Sequence, residues 1–174
     1  MLLACPATAA DLPSWVMSRV RGGNALDAGV PWVPYPARHW LESQVKPGWD
    51  VFEYGAGGST LFFSERVRSV VTVEHDEGWA RRVRALLAAR GRTNVELQWC
   101  PPGPQESGSN PDAYGLECYT SRAAEGRYRG LQFKEYVETI DRIGPRLYDL
   151  VFIDGRSRPS SARHALRHLS LIHI

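Results

Sequence analysis

Residues 51–60 read Val51-Phe52-Glu53-Tyr54-Gly55-Ala56-Gly57-Gly58-Ser59-Thr60, and this stretch decides the fold. An apolar run passes into an acid, then into a glycine-rich turn, and then into Leu61-Phe62-Phe63, which is typical of the start of a helix. Glycine lacks a Cβ and adopts positive φ, so the backbone of such a turn can lie directly against a ligand. The first turn of a helix also presents unpaired N–H groups. The stretch therefore predicts a strand, turn and helix that bind a ligand.

The spacing of the glycines separates two kinds of ligand turn. The dinucleotide fingerprint requires glycine at its first, third and sixth positions, but Gly55 and Gly57 are followed by Thr60 at the sixth. The pattern Glu53-x-Gly55-x-Gly57 instead resembles motif I of the class I S-adenosylmethionine (SAM) methyltransferases, with Ser59 where that family usually has a third glycine. The alternative is a tight strand-to-helix turn without a ligand.

A second acidic residue ends the next predicted strand, residues 67–74. Its run Val70-Val71-Thr72-Val73 is typical of a strand buried on both faces. Glu74 follows Gly55 by nineteen positions, close to the ~20 expected for an acid that binds a ribose. The family resemblance implies this role for Glu74 and places His75 at the adenine edge. Asp76 either lies beside the adenine or caps the next helix.

The run Tyr148-Asp149-Leu150-Val151-Phe152-Ile153-Asp154-Gly155 predicts a fourth strand with an acid at its carboxyl end, where open α/β sheets bind ligands. It resembles motif IV of the methyltransferases. The resemblance implies that Asp154 contacts the methionine amino group, orients the nucleophile or binds a metal, and the alternative is a helix cap. Asp154 is the catalytic candidate, and His39 and Tyr35 are further candidates for a general base.

The resemblance implies a SAM site at the ends of these strands. Its predicted cofactor-binding residues are Glu53, Tyr54, Gly55, Ala56, Gly57, Ser59, Glu74, His75, Cys100 and Asp154. Cys100 is included because Cys100-Pro101-Pro102 follows the third strand, residues 94–99, where relatives commonly have an acid or amide for adenine. Backbone groups near Cys100 would take that contact.

Four strands with crossover helices predict an α/β Rossmann-like doubly wound sheet, with the first and fourth strands adjacent in the middle. Residues 1–30 are expected to form an N-terminal cap, and residues 31–174 a SAM-binding domain. Within it, residues 101–130 are either a lid or a disordered insertion, and residues 131–143 have helical periodicity. The last residues, 170–174, match no strand of the family, so an N-terminal fragment with missing C-terminal strands and an exposed fourth-strand edge is expected.

Composition limits the class of protein. The 174 residues suit one domain, and a formal net charge of +2 with mixed signs predicts neither a nucleic-acid nor a membrane partner. The three cysteines are odd in number and far apart, which fits neither a disulfide framework nor a zinc cluster, so a reducing cytoplasm is expected.

Two further patterns near the end of the chain carry alternatives. Arg156-Ser157-Arg158 either binds an acidic substrate or forms an exposed turn. His164 and His168 have the i, i+4 spacing of a shared metal site, but no acidic ligand accompanies them in the sequence, so no metal is expected.

The sequence therefore predicts a SAM-dependent methyltransferase that acts on a small-molecule or otherwise unknown acceptor. The alternatives are an NAD- or nucleotide-binding oxidoreductase and a non-catalytic binding module with the same fold.

Overall fold

A computed structural model describes residues 25–105, 115–120 and 128–170. Its centre is a parallel sheet of four strands in the order β3-β2-β1-β6. The strands are β1 (Asp50–Tyr54), β2 (Ser69–Glu74), β3 (Val95–Trp99) and β6 (Leu150–Ile153), and the short strands β4 (Gly103–Pro104) and β5 (Leu131–Gln132) pair separately. The predicted Rossmann-like α/β class is confirmed, and so is the pairing of the first and fourth long strands.

Helices cover both faces of the sheet. They are α1 (Ala25–Ala28), α2 (Tyr35–Gln44), α3 (Gly58–Ser64), α4 (Glu77–Ala89), α5 (Lys134–Val137), α6 (Thr139–Arg142) and α7 (Arg158–Ala165). Side chains of β1 alternate between the two layers, as the pleat of a strand requires. Phe52 and Tyr54 pack with Tyr136 of α5, whereas Val51 packs with Phe62 of α3.

The start of α3 lies under α1. A Cβ added at Gly58 would collide with the carbonyl oxygens of Ala25 and Val30, so this position requires glycine. Leu26 of α1 is buried and packs with Leu61 of α3. Residues 1–24 of the predicted N-terminal cap lie outside the described residues.

The predicted single helix over residues 131–143 is wrong. This segment forms β5, then α5, then α6, and the two helices are separated at Glu138. The Thr139 hydroxyl donates to the Glu135 carbonyl at 2.8 Å, so it competes with the backbone N–H that would continue the helix.

The described parts of the predicted lid, 101–105, 115–120 and 128–130, are hydrogen-bonded to the rest of the domain. The Ser157 hydroxyl lies 3.0 Å from the Tyr119 carbonyl and 2.8 Å from that of Thr120. The N–H of Phe133 donates to the Tyr119 carbonyl at 2.7 Å. Residues 106–114 and 121–127, which complete the predicted lid, are not among those described.

The outer edge of the fourth long strand is partly paired. Tyr148 forms a parallel bridge with Leu169, its N–H donates to the His168 carbonyl at 2.7 Å, and its carbonyl accepts from Ser170 at 2.9 Å. The prediction of an exposed fourth-strand edge is therefore wrong at Tyr148, which is paired just before β6 begins. Across the described ranges, the helices are too short or too polar to cross a bilayer.

Candidate functional site

The carboxyl ends of β1, β2 and β6 meet at the glycine turn, because parallel strands end at one edge of a sheet. The Ala56 N–H donates to Glu74 Oε2 at 3.1 Å, which joins the turn to β2. The Asp154 N–H donates to the Tyr54 carbonyl at 3.0 Å, which joins the end of β6 to β1. The three predicted anchors, the glycine turn, Glu74 and Asp154, are therefore neighbours.

Two glycines allow the turns after β1 and β6 to touch. Gly55 has a φ of +95°, and a Cβ there would lie 2.8 Å from the Gly155 Cα. A Cβ at Gly155 would collide with the Tyr136 hydroxyl and lie 3.0 Å from the Tyr54 carbonyl oxygen. Only glycine at both positions lets the two backbones approach this closely.

Glu53 is fully buried beside α3. The Gly57 N–H donates to Thr60 Oγ1 at 2.8 Å, and this hydroxyl donates to Glu53 Oε2 at 2.5 Å. Glu53 Oε1 has no hydrogen-bond partner among the described residues. Burial raises the pKa of Glu53 from 4.5 to about 7, against the opposing effect of the Ser59, Thr60 and Thr72 hydroxyls, and the Asp154 carboxylate adds a smaller rise.

Glu74 braces the turn from the end of β2. Its Oε1 accepts the N–H groups of His75 and Asp76, both at 2.8 Å, and lies 2.8 Å from His75 Nδ1. Among the described residues its Oε2 accepts only the Ala56 N–H, which leaves one lone pair without a donor there. The Trp79 indole N–H donates to the Ala56 carbonyl at 2.7 Å and holds the same turn from α4.

Asp154 is paired within its own turn. Arg158 Nη2 lies 2.7 Å from Asp154 Oδ1 and 3.2 Å from the Asp154 carbonyl, and Arg158 Nε lies 3.3 Å from the Gly155 carbonyl. Burial raises the pKa of Asp154, and Arg158 opposes the rise. Ser157 follows with a φ of +48°, the one positive φ at a non-glycine residue in the described ranges. Such a conformation is costly and is retained where the surroundings impose it.

His75 lies in an aromatic cluster. Its ring centroid is 5.2 Å from that of Tyr128, 5.5 Å from Phe133 and 6.1 Å from Tyr136. Arg156 Nε lies 3.4 Å from His75 Nε2, and the guanidinium lies 5.4 Å from the centre of the Tyr128 ring. The predicted adenine edge is therefore lined by aromatic rings and one arginine.

The remaining predicted cofactor-binding residues contribute different groups to the site, some the backbone and some the side chain. The Tyr54 hydroxyl donates to the Val137 carbonyl at 2.7 Å, so its side chain belongs to the core and only its backbone borders the turn. The Ser59 side chain is buried. The Cys100 N–H donates to the Glu74 carbonyl at 2.8 Å, and burial raises the pKa of its thiol. Asp76 accepts from the Trp79 N–H at 2.9 Å, so it is a helix cap.

The general-base candidates Tyr35 and His39 lie on α2, with their ring centroids 6.5 Å apart.

The sequence patterns did not assign Thr60, Trp79 or Tyr136 to the site. The only signal for Thr60 is its place at the sixth position of the glycine pattern. Trp79 and Tyr136 have ordinary helical periodicity, so no local signal distinguishes them from core residues.

The expectation that no acid accompanies His164 and His168 is wrong. Asp141 of α6 lies between them, hydrogen-bonded to His164 Nδ1 and 2.8 Å from His168 Nε2. Burial alone would raise the pKa of Asp141, but the hydrogen bonds from both histidines lower it. Within the described ranges, no three His, Cys, Asp or Glu side chains form a group that could hold a metal ion.

No protein-family model matches this sequence, and no curated protein matches it. Solved structures do match. A methyltransferase-like protein from Silicibacter pomeroyi is 26% identical over 78% of this chain and 66% of its own, with a TM-score of 0.56. Precorrin-8w decarboxylase from Methanobacterium thermoautotrophicum is 18% identical over 82% of this chain and 62% of its own, with a TM-score of 0.49. A dimethyladenosine transferase from Plasmodium falciparum is 18% identical over 49% of this chain and 31% of its own, with a TM-score of 0.34.

The chain spans just under two thirds of the first two of these proteins. Of these three structures, the Silicibacter protein has a TM-score above 0.5, and the other two are below it. The similarity of this chain to the Silicibacter protein agrees with the strand order and with the position of the glycine turn, Glu74 and Asp154 at one edge of the sheet. The chain therefore has the class I SAM-dependent methyltransferase-like fold.

Proposed function

We propose that this chain binds SAM at the carboxyl ends of β1, β2 and β6 and is the SAM-binding part of a methyltransferase. The observation that carries the proposal is the charge of the site. Glu53, Glu74 and Asp154 surround the glycine turn, joined to it by the hydrogen bonds described above. Three acidic groups at one strand edge favour a cationic ligand, since an opposite charge nearby stabilises the ionised form of each.

The residues present fit SAM. Glu53 Oε1 is buried without a partner among the described residues, and Glu74 Oε2 retains a lone pair. In this proposal Glu74 binds the ribose hydroxyls, the Gly55–Gly57 backbone borders the methionine end, and the rings around His75 border the adenine. When bound, SAM would supply a sulfonium methyl group, whose carbon would form a bond to a lone pair of the acceptor while the carbon–sulfur bond breaks and its electron pair stays on sulfur.

The chain's own contribution to transfer would be orientation. Thr60 and Arg158 hold the carboxylates of Glu53 and Asp154, and the packed turns keep the two carboxylates in place. Holding donor and acceptor at near-attack distance can lower the barrier of such a displacement by ~7–11 kcal/mol.

An NAD-binding oxidoreductase is less well supported. A pyrophosphate carries negative charge and needs N–H groups at the start of a helix, whereas the N–H groups of Ala56 and Gly57 already donate to Glu74 and Thr60. The carboxylates around the turn would also repel it.

Thermal unfolding of the chain with SAM, with its demethylated product and with NAD tests the proposal. SAM at about 100 times its dissociation constant should stabilise the protein by ~2.7 kcal/mol, or roughly 5–10 °C for a domain of this size. NAD should produce no shift. A shift with NAD alone would favour the oxidoreductase, and SAM binding without transfer to any acceptor would favour a non-catalytic module.

A further inference from the structure

We propose that the methyl acceptor carries an anionic group, a carboxylate or a phosphate, and that Arg156 binds it. This inference rests on the proposed function, because it names the substrate class of the same site.

The two arginines after β6 differ in their partners. Arg158 is largely exposed and forms an ion pair with Asp154 at 2.7 Å, so its charge is already balanced. Arg156 is only partly exposed, and no carboxylate of the described residues pairs with it. Its contacts are with His75 Nε2 at 3.4 Å and with the Tyr128 ring at 5.4 Å.

These contacts hold the guanidinium without neutralising it. A cation–π contact with the Tyr128 ring supports the guanidinium, and Nε faces His75. Among the described residues, the two Nη groups therefore remain as donors. A partly buried cation that lacks a counter-charge among the described residues has lost part of its hydration. The parallel N–H groups of arginine match the oxygens of a carboxylate or phosphate.

Arg156 belongs to the turn after β6, which carries Asp154, and its side chain contacts the rings at the predicted adenine edge. It follows Asp154 by two residues, in the turn that packs against Gly55. The carboxylates of Glu53, Glu74 and Asp154 would repel an anionic acceptor. A cation without a counter-charge at the same edge offsets that repulsion and selects for an acceptor with a negative group.

His75 provides a direct reporter, since its ring contacts both Arg156 and Tyr128. We would label histidine with ¹⁵N and ¹³C in the full 174-residue chain and titrate inorganic phosphate and acetate separately. The proposal predicts saturable shifts of the His75 ring resonances with at least one of the two anions, and the anion that binds indicates the group on the acceptor.

The Arg156→Gln variant should weaken anion binding by about tenfold or more, as expected for the loss of a charge-assisted contact. Arg156→Lys keeps the charge but not the paired donors, so its loss should be smaller, and it replaces Arg156→Gln if that variant does not fold. Arg81→Gln, on the exposed face of α4, is the matched control for net charge and should leave binding unchanged.

Four outcomes would overturn the proposal. They are no shift with either anion, anion binding in Arg156→Gln equal to that of the wild type, loss of binding in Arg158→Gln instead, and weakened SAM binding in Arg156→Gln by calorimetry together with no anion binding once SAM is bound. The last would assign Arg156 to the carboxylate of the cofactor. Arg156-dependent anion binding in a chain that does not bind SAM would instead refute the proposed function and, with it, the acceptor assignment.

Discussion

At the scale of single residues, Glu53 is unusual because its carboxyl group is fully buried. A carboxyl that is fully buried, with one oxygen bonded to Thr60 and the other without a partner among the described residues, costs stability whenever it is ionised. A hydrophobic residue at this position of β1 would avoid that cost. The presence of an acid at this buried position favours a role in ligand binding.

The Glu53→Gln variant should change how stability depends on pH. Because the pKa of Glu53 rises from 4.5 in the unfolded chain to about 7 in the folded protein, the folded state binds the extra proton between these values. The wild-type free energy of unfolding should therefore fall as the pH rises from about 4.5 to about 7, by up to about 3 kcal/mol from this group. Glutamine does not titrate and can still accept from Thr60.

Urea unfolding at half-unit pH steps measures this effect. The variant should lack this part of the decline, so that its stability relative to the wild type increases with pH across this window. The matched control is Glu42→Gln on α2, whose carboxylate is exposed and should leave the decline intact. Parallel curves for the wild type and Glu53→Gln would contradict the assignment.

At the scale of elements, the site depends on the contact between the turn after β1 and the turn after β6. Gly55 and Gly155 face each other across it, and Tyr136 of α5 lies against Gly155. The Tyr136 hydroxyl has no hydrogen-bond partner in the described part of the chain, and burial raises its pKa. The space for the turns is therefore limited by a packed aromatic side chain and by backbone.

The Gly155→Ala substitution should destabilise the protein by about 1–3 kcal/mol, the usual cost of overpacking. Its new Cβ would collide with the Tyr136 hydroxyl and lie 3.1 Å from the Gly55 nitrogen. Adding Tyr136→Phe removes the nearest atom, so the double variant should recover part of the loss, and Tyr136→Phe alone should have little effect.

Denaturant unfolding of the three variants gives the coupling energy of this pair. Gly48→Ala is the control, because a Cβ at Gly48 meets nothing within 4 Å. Strictly additive effects would show that the collision is relieved by movement of the β6 turn and not by the hydroxyl.

At the scale of the molecule, β1 is the most completely buried strand of the described sheet. This strand lies between β2 and β6, and all five of its residues are buried. Asp50 at its start also pairs with Arg68 and Arg146, and these partners, led by Arg68, lower its pKa. By contrast, β3 is at the edge of the described sheet, and its Trp99 is 45% exposed.

Hydrogen exchange should reflect this difference. Amides of Val51–Tyr54 should exchange at least about tenfold more slowly than those of Val95–Trp99 after correction for intrinsic rates, since central strands open only with the whole domain. Mass spectrometry of peptic peptides measures both regions in one experiment. Equal protection of the two strands would indicate that β3 has a further partner.

Local sequence patterns were sufficient to predict most of the fold. The four long strands, the glycine turn and the adjacency of the first and fourth strands follow from apolar runs, glycine spacing and the handedness of crossovers. The break between α5 and α6 did not follow, because the periodicity of Phe133, Tyr136 and Ile140 is helical whether or not Thr139 bonds to the Glu135 carbonyl. Side-chain hydrogen bonds of this kind leave no trace in a hydrophobic pattern.

By itself, the sequence determined where each strand ends and hence that Glu53, Glu74 and Asp154 border one edge of the sheet. Only the tertiary structure decided what each carboxylate binds: Thr60 for Glu53, three backbone N–H groups for Glu74, and Arg158 for Asp154. It also decided that Arg156 meets His75, eighty-one residues away. Strand periodicity is a property of a few consecutive residues, whereas the partner of a side chain depends on which distant segments the packed core brings within hydrogen-bond distance.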